Sequence, residues 1–290
     1  MPVNAPLGLP DTMWVDGRPA DEVSLLDRGL HYGDGLFETI ACVGGGARFL
    51  SRHLKRLSSG CVRLAVPEPD SDELTREIGA AAAGSSRAVV KLILTRGRAR
   101  VRGYGFSGED SPTRIMLRYP WKGVDEREVR EGVRVRLADL RLGENPKLAG
   151  LKHLNRLEQV LARNEWSDDS IAEALLFSSS GALISGTMTN VFLVHEGKLA
   201  TPRLDRCGVA GVMREVVGEL SARCGIDFNE RPLDRTDLEA AQEIFLTNAL
   251  TGIRPVRELA GRTVGLGPVT RQLQQALAPL ISQPGESAGG

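Results

Sequence analysis

The chain has 290 residues, of which 41% are hydrophobic and 26% charged, with 37 basic side chains against 37 acidic ones. That length allows a large core and two domains. The even charge excludes a global field that would gather nucleic acid or an anionic membrane surface. Cys42, Cys61, Cys207 and Cys224 show neither CxxC nor zinc-ligand spacing, so no disulfide framework is implied and a reducing cytoplasm is the expected compartment. The opening MPVNAPLGLPDTMW has no basic start or apolar run of the signal-peptide kind, and no apolar stretch approaches membrane-spanning length.

In chain order, TMWVDG reads as a strand and turn, and LFETIACV as a strand ending at Gly44–Gly46. SRHLKRLSSGCVRLAV predicts a helix capped by Ser51, and SDELTREIGAAAA a second helix with a serine cap. AVVKLILT and TRIMLRY predict strands. YPWKGVDER (119–127) interrupts the pattern and is the expected linker between a smaller domain, 1–118, and a larger one, 128–282. The second half predicts strands near 132–138, 173–177, 190–195 and 243–247, and helices near 152–165, 211–223 and 268–281. SSSGALISGT reads as a turn, and 283–290 as a disordered tail. Strands and helices mix without a regular βαβ rhythm, which points to an α+β protein.

Within the expected 152–165 helix, Leu154, Leu157 and Leu161 share one side and Lys152, Asn155, Arg156 and Gln159 the other. Read alone, that is a surface helix with a solvated lysine. DRGLHYGDGLFET (27–39) matches no phosphate-loop pattern and reads as a tight turn. In VAGVMREVVGEL, Gly211 precedes an apolar-periodic helix, so the amides of Val212 and Met213 stand at its start, where unpaired N–H groups and the helix dipole suit an anion. Arg56 could bring a guanidinium fork to a phosphate. FLTNALTGIRPV runs from strand into a polar turn where Asn248 could add donors. The histidines are scattered without HxxxH or HExxH, so no metal site is expected, and no GxSxG elbow is present.

DRGLHYGDGLFET, HLKRL, TRGRARVRGYG, RLGENPKLAGLKHLNRLEQVLAR, GTMTNVFLV, TPRLDRCGVAGVMRE and TNALTGIRPV stand in this order over residues 12–280. Together they resemble the fold-type IV pyridoxal-phosphate enzymes, which include branched-chain and D-amino-acid aminotransferases. The lysine-bearing segment is most similar to the lyase subgroup that acts on 4-amino-4-deoxychorismate. The resemblance implies a two-domain D-amino-acid aminotransferase-like fold, pyridoxal 5'-phosphate as cofactor, a small-molecule substrate and a homodimer. It matches Lys152 to the lysine that bonds the cofactor, and Arg56, Val212, Met213, Asn248 and Ala249 to the phosphate contacts. It also matches Val209 to the aliphatic residue against the pyridine ring, and Arg102 and Tyr104 to a substrate-carboxylate loop that reaches across the dimer, with His31 near the site mouth.

One position departs from the family. By the resemblance, Ser185 stands where most relatives carry a glutamate that pairs with the pyridine nitrogen. A hydroxyl gives only a neutral hydrogen bond, which weakens the electron sink and favours a lyase driven by aromatisation over a transaminase. A transaminase and a non-catalytic cofactor-binding protein are the other readings.

Overall fold

The computed structural model describes residues 8–106, 108 and 110–285, and these fall into two compact units. The first holds the described parts of Leu7–Lys122, Leu151–Asn155 and Gln283–Gly290; the second holds Gly123–Gly150 and Arg156–Ser282.

The first unit contains β1 (Thr12–Val15), β2 (Arg18–Pro19), α1 (Arg28–Tyr32), β3 (Gly35–Val43), β4 (Gly46–Ala47), α2 (Leu50–Leu64), α3 (Ser71–Ala82), β5 (Arg87–Thr95) and β6 (Thr113–Pro120). Its strands form one antiparallel sheet in the order β2-β1-β6-β5-β3-β4. Alternation does the sorting. Leu36, Ile40 and Cys42 of β3, with Val90, Leu92 and Leu94 of β5, join one core. Against it α2 lays Leu50, His53, Leu57, Gly60 and Cys61, a helical stripe of three- and four-residue steps.

The second unit contains α4 (Glu126–Glu131), β7 (Val133–Leu142), α5 (Leu157–Arg163), β8 (Ile171–Ser178), β9 (Leu183–Gly186), β10 (Asn190–His195), β11 (Lys198–Pro202), α6 (Val212–Arg223), β12 (Phe228–Arg231), α7 (Arg235–Ala240), β13 (Glu243–Asn248), β14 (Gly252–Leu259), β15 (Arg262–Thr263) and α8 (Pro268–Ser282). Its sheet runs β12-β11-β10-β13-β14-β7-β8-β9, with β15 on β14. The pairs β11–β12, β14–β7 and β7–β8 are parallel. β8 is buried along nearly its whole length, as a strand covered on both faces must be. α6 and α8 pack together and on β13, and the rings of Phe192 in β10 and Phe245 in β13 stack on each other.

The α+β expectation holds, and five local expectations are corrected. The 152–165 helix is only α5; residues 151–155 are not helical and belong to the first unit, not to the domain 128–282. Of the leucines that share one side, Leu157 at 76% and Leu161 at 60% are exposed and Leu154 is half-buried, so they make no core stripe. α2 starts two residues earlier than a Ser51 cap would give. Phe49, in the left-handed region at φ 53°, is its N-cap, and its carbonyl takes the Arg52 and His53 amides. α3 is capped by Asp70, whose carboxylate accepts from the Glu73 amide. SSSGALISGT contains a turn followed by β9 rather than a turn alone. Of the expected tail, Gly285 donates its amide to the Val43 carbonyl at 3.1 Å, while 286–290 lie outside the described residues. No helix among the described residues is long and apolar enough to cross a membrane.

The Asp70 cap gives a direct test of the corrected helix start. Asp70→Ala should cost about 1 kcal/mol, seen as a lower urea midpoint with unchanged activity.

Candidate active site

In the first unit, Lys152 is placed by backbone pairing. The Phe37 amide donates to the Lys152 carbonyl at 3.0 Å and the Leu154 amide to the Gly35 carbonyl at 3.0 Å. Leu36 and His153 form the bridge between them. A Cβ at Gly35 would stand 2.3 Å from the Leu94 carbonyl oxygen of β5 and 2.9 Å from Leu154 Cδ1, so glycine is needed for the pairing with β5 and leaves room for the Leu154 side chain. Lys152 Nζ then lies 4.1 Å from the centroid of the Phe37 ring, whose π face favours a cation. Lys91 lies 5.6 Å from the same ring, and burial lowers its pKa.

On the opposite face of β3, Glu38 is 1% exposed and holds two basic residues of α2. His53 Nδ1 is 2.6 Å from Glu38 Oε2, Arg56 Nε donates to Oε1 at 2.8 Å, and Arg56 Nη2 donates to Oε2. Burial alone would raise the Glu38 pKa, but the pull of Arg56 and His53, with their hydrogen bonds, brings it from 4.5 down to about 2. The phosphate fork read from the sequence thus gives its Nε–Nη2 edge to Glu38. Glu38 and His53 were missed as site residues. Their signal was an acid on the core-facing register of an apolar strand.

His31 and the Arg102–Tyr104 loop also belong to this unit. His31 is exposed, with Nε2 2.6 Å from the Leu25 carbonyl oxygen. Arg102 and Tyr104 are exposed, Tyr104 at 84%, and the Tyr104 ring stands 5.3 Å from that of Tyr32.

In the second unit, α6 begins at Gly211 with no side-chain cap hydrogen bond. The first N–H groups of a helix have no partner inside it, and Val212 and Met213 bury their side chains at 3% and 1% exposure, so what they offer at the helix start is backbone. Gly211 is needed, because a Cβ would stand 2.1 Å from Asn190 Oδ1. The same asparagine donates Nδ2 to the Val209 carbonyl at 2.9 Å, and Val209 bridges to Gly150. Asn190, which nothing in the sequence pattern singles out, therefore sets both flanks of the helix start.

The Asn248–Ala249 turn closes on itself. Asn248 Oδ1 accepts from the amides of Leu250 and Thr251 at 3.0 and 2.8 Å and from the Thr251 hydroxyl at 2.9 Å. Asn248 thus shapes the turn rather than lending its carbonyl oxygen outward. Next to it, the Thr247 hydroxyl is buried without a partner among the described residues. Ser185 is 8% exposed and donates to the Gly186 carbonyl at 2.9 Å. Glu173 lies within β8, fully buried. It accepts from the Thr187 amide and hydroxyl, the Met188 amide and the Thr189 hydroxyl, so its carboxylate shapes the turn after β9.

The chain matches the amino-transferase class IV family over residues 35–259. It belongs to that family. It is 34% identical to the aminodeoxychorismate lyase of Vibrio harveyi over 265 residues, covering 90% of this chain and 97% of the relative. It is 30% identical to a putative branched-chain-amino-acid aminotransferase of Methanocaldococcus jannaschii, covering 91% and 94%. Among solved structures it is similar to the 4-amino-4-deoxychorismate lyase of Pseudomonas aeruginosa, with a TM-score of 0.88, 48% identity, and 92% and 98% coverage. The protein is an enzyme of the fold-type IV class, and its cofactor is pyridoxal 5'-phosphate. The residues present fit that group. The first unit offers a lysine over an aromatic face. The second, taken by itself, offers an uncapped glycine-led helix start suited to phosphate and, beside a strand-end turn, a buried Thr247 hydroxyl without a partner among the described residues.

Glu38 gives the site its clearest pH signature. A carboxylate with a depressed folded pKa adds stability above its unfolded value, which is lost as pH falls from about 4.5 toward 2. Removing one partner of a buried pair costs on the order of 3–5 kcal/mol, so Glu38→Gln should destabilise by that amount at pH 7 and flatten the acid limb of an unfolding profile.

Proposed function

We propose that this enzyme is a lyase converting 4-amino-4-deoxychorismate to 4-aminobenzoate and pyruvate. The observation that carries the reading is Ser185. Where the resemblance expects a carboxylate, as in most relatives, this chain has a hydroxyl turned to the Gly186 carbonyl, and Glu173 is committed to Thr187, Met188 and Thr189. The similarity to the two lyases supports it.

In this reading Lys152 would bond the cofactor, the amides at Val212 and Met213, the Asn248–Ala249 turn and Arg56 would hold its phosphate, and Val209 would lie against the pyridine ring. Bound pyridoxal phosphate supplies an electron sink to the carbon bearing the substrate amine. Once the substrate amine has displaced it from the cofactor, the Lys152 amine would take the proton from C4 of the substrate ring, with Phe37 keeping that amine in place. As the ring becomes aromatic the enolpyruvyl group departs, and its protonation gives pyruvate. Arg102 and Tyr104 read the substrate carboxylate, with His31 at the mouth. A weak sink suffices because aromatisation drives the step, whereas transamination needs full delocalisation into the ring.

The reading includes a homodimer, consistent with the exposure of Tyr104 in the single chain, and a cytoplasmic location, consistent with four free cysteines. A branched-chain or D-amino-acid transaminase would use the same lysine and helix start but would require a keto-acid acceptor.

Two measurements test this function. The purified enzyme given 4-amino-4-deoxychorismate should release pyruvate and 4-aminobenzoate in equal amounts without any added keto acid. Turnover that appears only with an acceptor would establish the transaminase instead. Lys152→Ala should lose both the visible absorbance of the bound cofactor and turnover; a variant that keeps full activity removes Lys152 from the mechanism.

A further inference from the structure

The loop that carries Arg102 and Tyr104 is held from beneath by one buried arginine. Arg28, in the first turn of α1, is 4% exposed. Its Nη1 donates to the carbonyls of Gly103 and Gly105, each at 3.1 Å, and its Nη2 to that of Tyr104 at 2.8 Å. One guanidinium thus gathers three consecutive carbonyls. Such convergence needs a turned backbone, and Gly103 supplies it at φ 103°.

The clamp is itself fixed. Arg28 Nε donates to Asp34 Oδ2 at 2.8 Å, and Asp34 also takes Arg96 Nε at 2.8 Å and Nη2 at 3.1 Å. Arg96 donates onward to the carbonyls of Leu64 and Ala65 at 2.8 and 2.6 Å, so the aspartate sits between two anchored arginines. Burial would raise the Asp34 pKa, but hydrogen bonds and charge from Arg96 and Arg28 lower it. The loop's foot is tied by the Arg28 amide to the Gly97 carbonyl at 2.8 Å and the Ala99 amide to the Leu26 carbonyl at 2.8 Å.

The electrostatic effect is directional. Carbonyl oxygens carry partial negative charge and would repel a carboxylate. With three of them turned inward onto Arg28, the outward surface of the loop presents the exposed side chains of Arg102 and Tyr104. We propose that Arg28 is a positioning residue for substrate recognition, clamping residues 103–105 so that Arg102 and Tyr104 present a carboxylate-binding surface. This rests on the lyase reading for the identity of the substrate; the clamp itself does not.

The test is Arg28→Lys in the full-length holoenzyme. Lysine keeps the charge and can still pair with Asp34, but it lacks the planar fork that spans three carbonyls. Amide hydrogen exchange over residues 101–106 should speed by about tenfold or more. In the acceptor-free assay KM should rise by about tenfold while kcat stays within about threefold, the pattern of lost binding rather than lost chemistry. The visible absorbance of the bound cofactor should not change. Unchanged exchange in 101–106 overturns the clamp. Faster exchange with an unchanged KM overturns its part in recognition. If the unaltered enzyme shows no acceptor-free turnover, the lyase reading fails, and the exchange measurement still decides the clamp.

Discussion

Two backbone hydrogen bonds, from the Phe37 amide to the Lys152 carbonyl and from the Leu154 amide to the Gly35 carbonyl, decide where Lys152 goes. They make a short non-helical segment a neighbour of β3 and so place its lysine over the Phe37 ring. Much of the first unit's chemistry follows from that strand. Its alternation sends Leu36, Glu38 and Ile40 to the core side and Phe37 to the lysine side. Glu38 then fixes Arg56 and His53 of α2, so one strand orders both an amine and a guanidinium.

The second unit solves its part with polar side chains that serve backbone. Asn190 spaces Gly211 and holds Val209, Asn248 closes its own turn, and Glu173 gathers the amides and hydroxyls after β9. Asn190 and Glu173 are buried and Asn248 half-buried, and each is hydrogen-bonded, the condition under which a buried polar group is tolerated. The helix start of α6 is thereby left to backbone donors alone, which is the arrangement that suits a phosphate.

Strand alternation and helical stripes were legible in the sequence for β3, β5, β6, α2, α3, α6 and α8, because each has enough residues for a period to show. The segment around Lys152 was misread for the same reason. Leu154, Leu157 and Leu161 do keep helical spacing, yet α5 begins only at Leu157 and turns Leu157 and Leu161 outward. Nothing local told that the edge of β3, distant in sequence, would capture residues 152–154. The caps failed similarly. Serine was the plausible cap by type, while the chain in fact enters α2 through a left-handed Phe49. Glycine-led Gly211 and the departure at Ser185 could be read directly, since each depends on a single residue's chemistry. Glu38 behind Arg56, and Arg28 beneath the 103–105 loop, are pairings that only the folded chain brings together.

The double duty of β3 also limits how this protein can change over evolutionary time. Side chains alternate along a strand, so deleting or inserting one residue within Gly35–Val43 would exchange its two faces. Phe37 would turn into the core and Glu38 away from Arg56 and His53, losing the lysine's platform and the buried ion pairs in one event. Substitution can proceed there one side chain at a time, but length cannot. Changes in length must fall at the ends, where Gly33 already turns the chain before the strand and Gly44 and Gly45 turn it after.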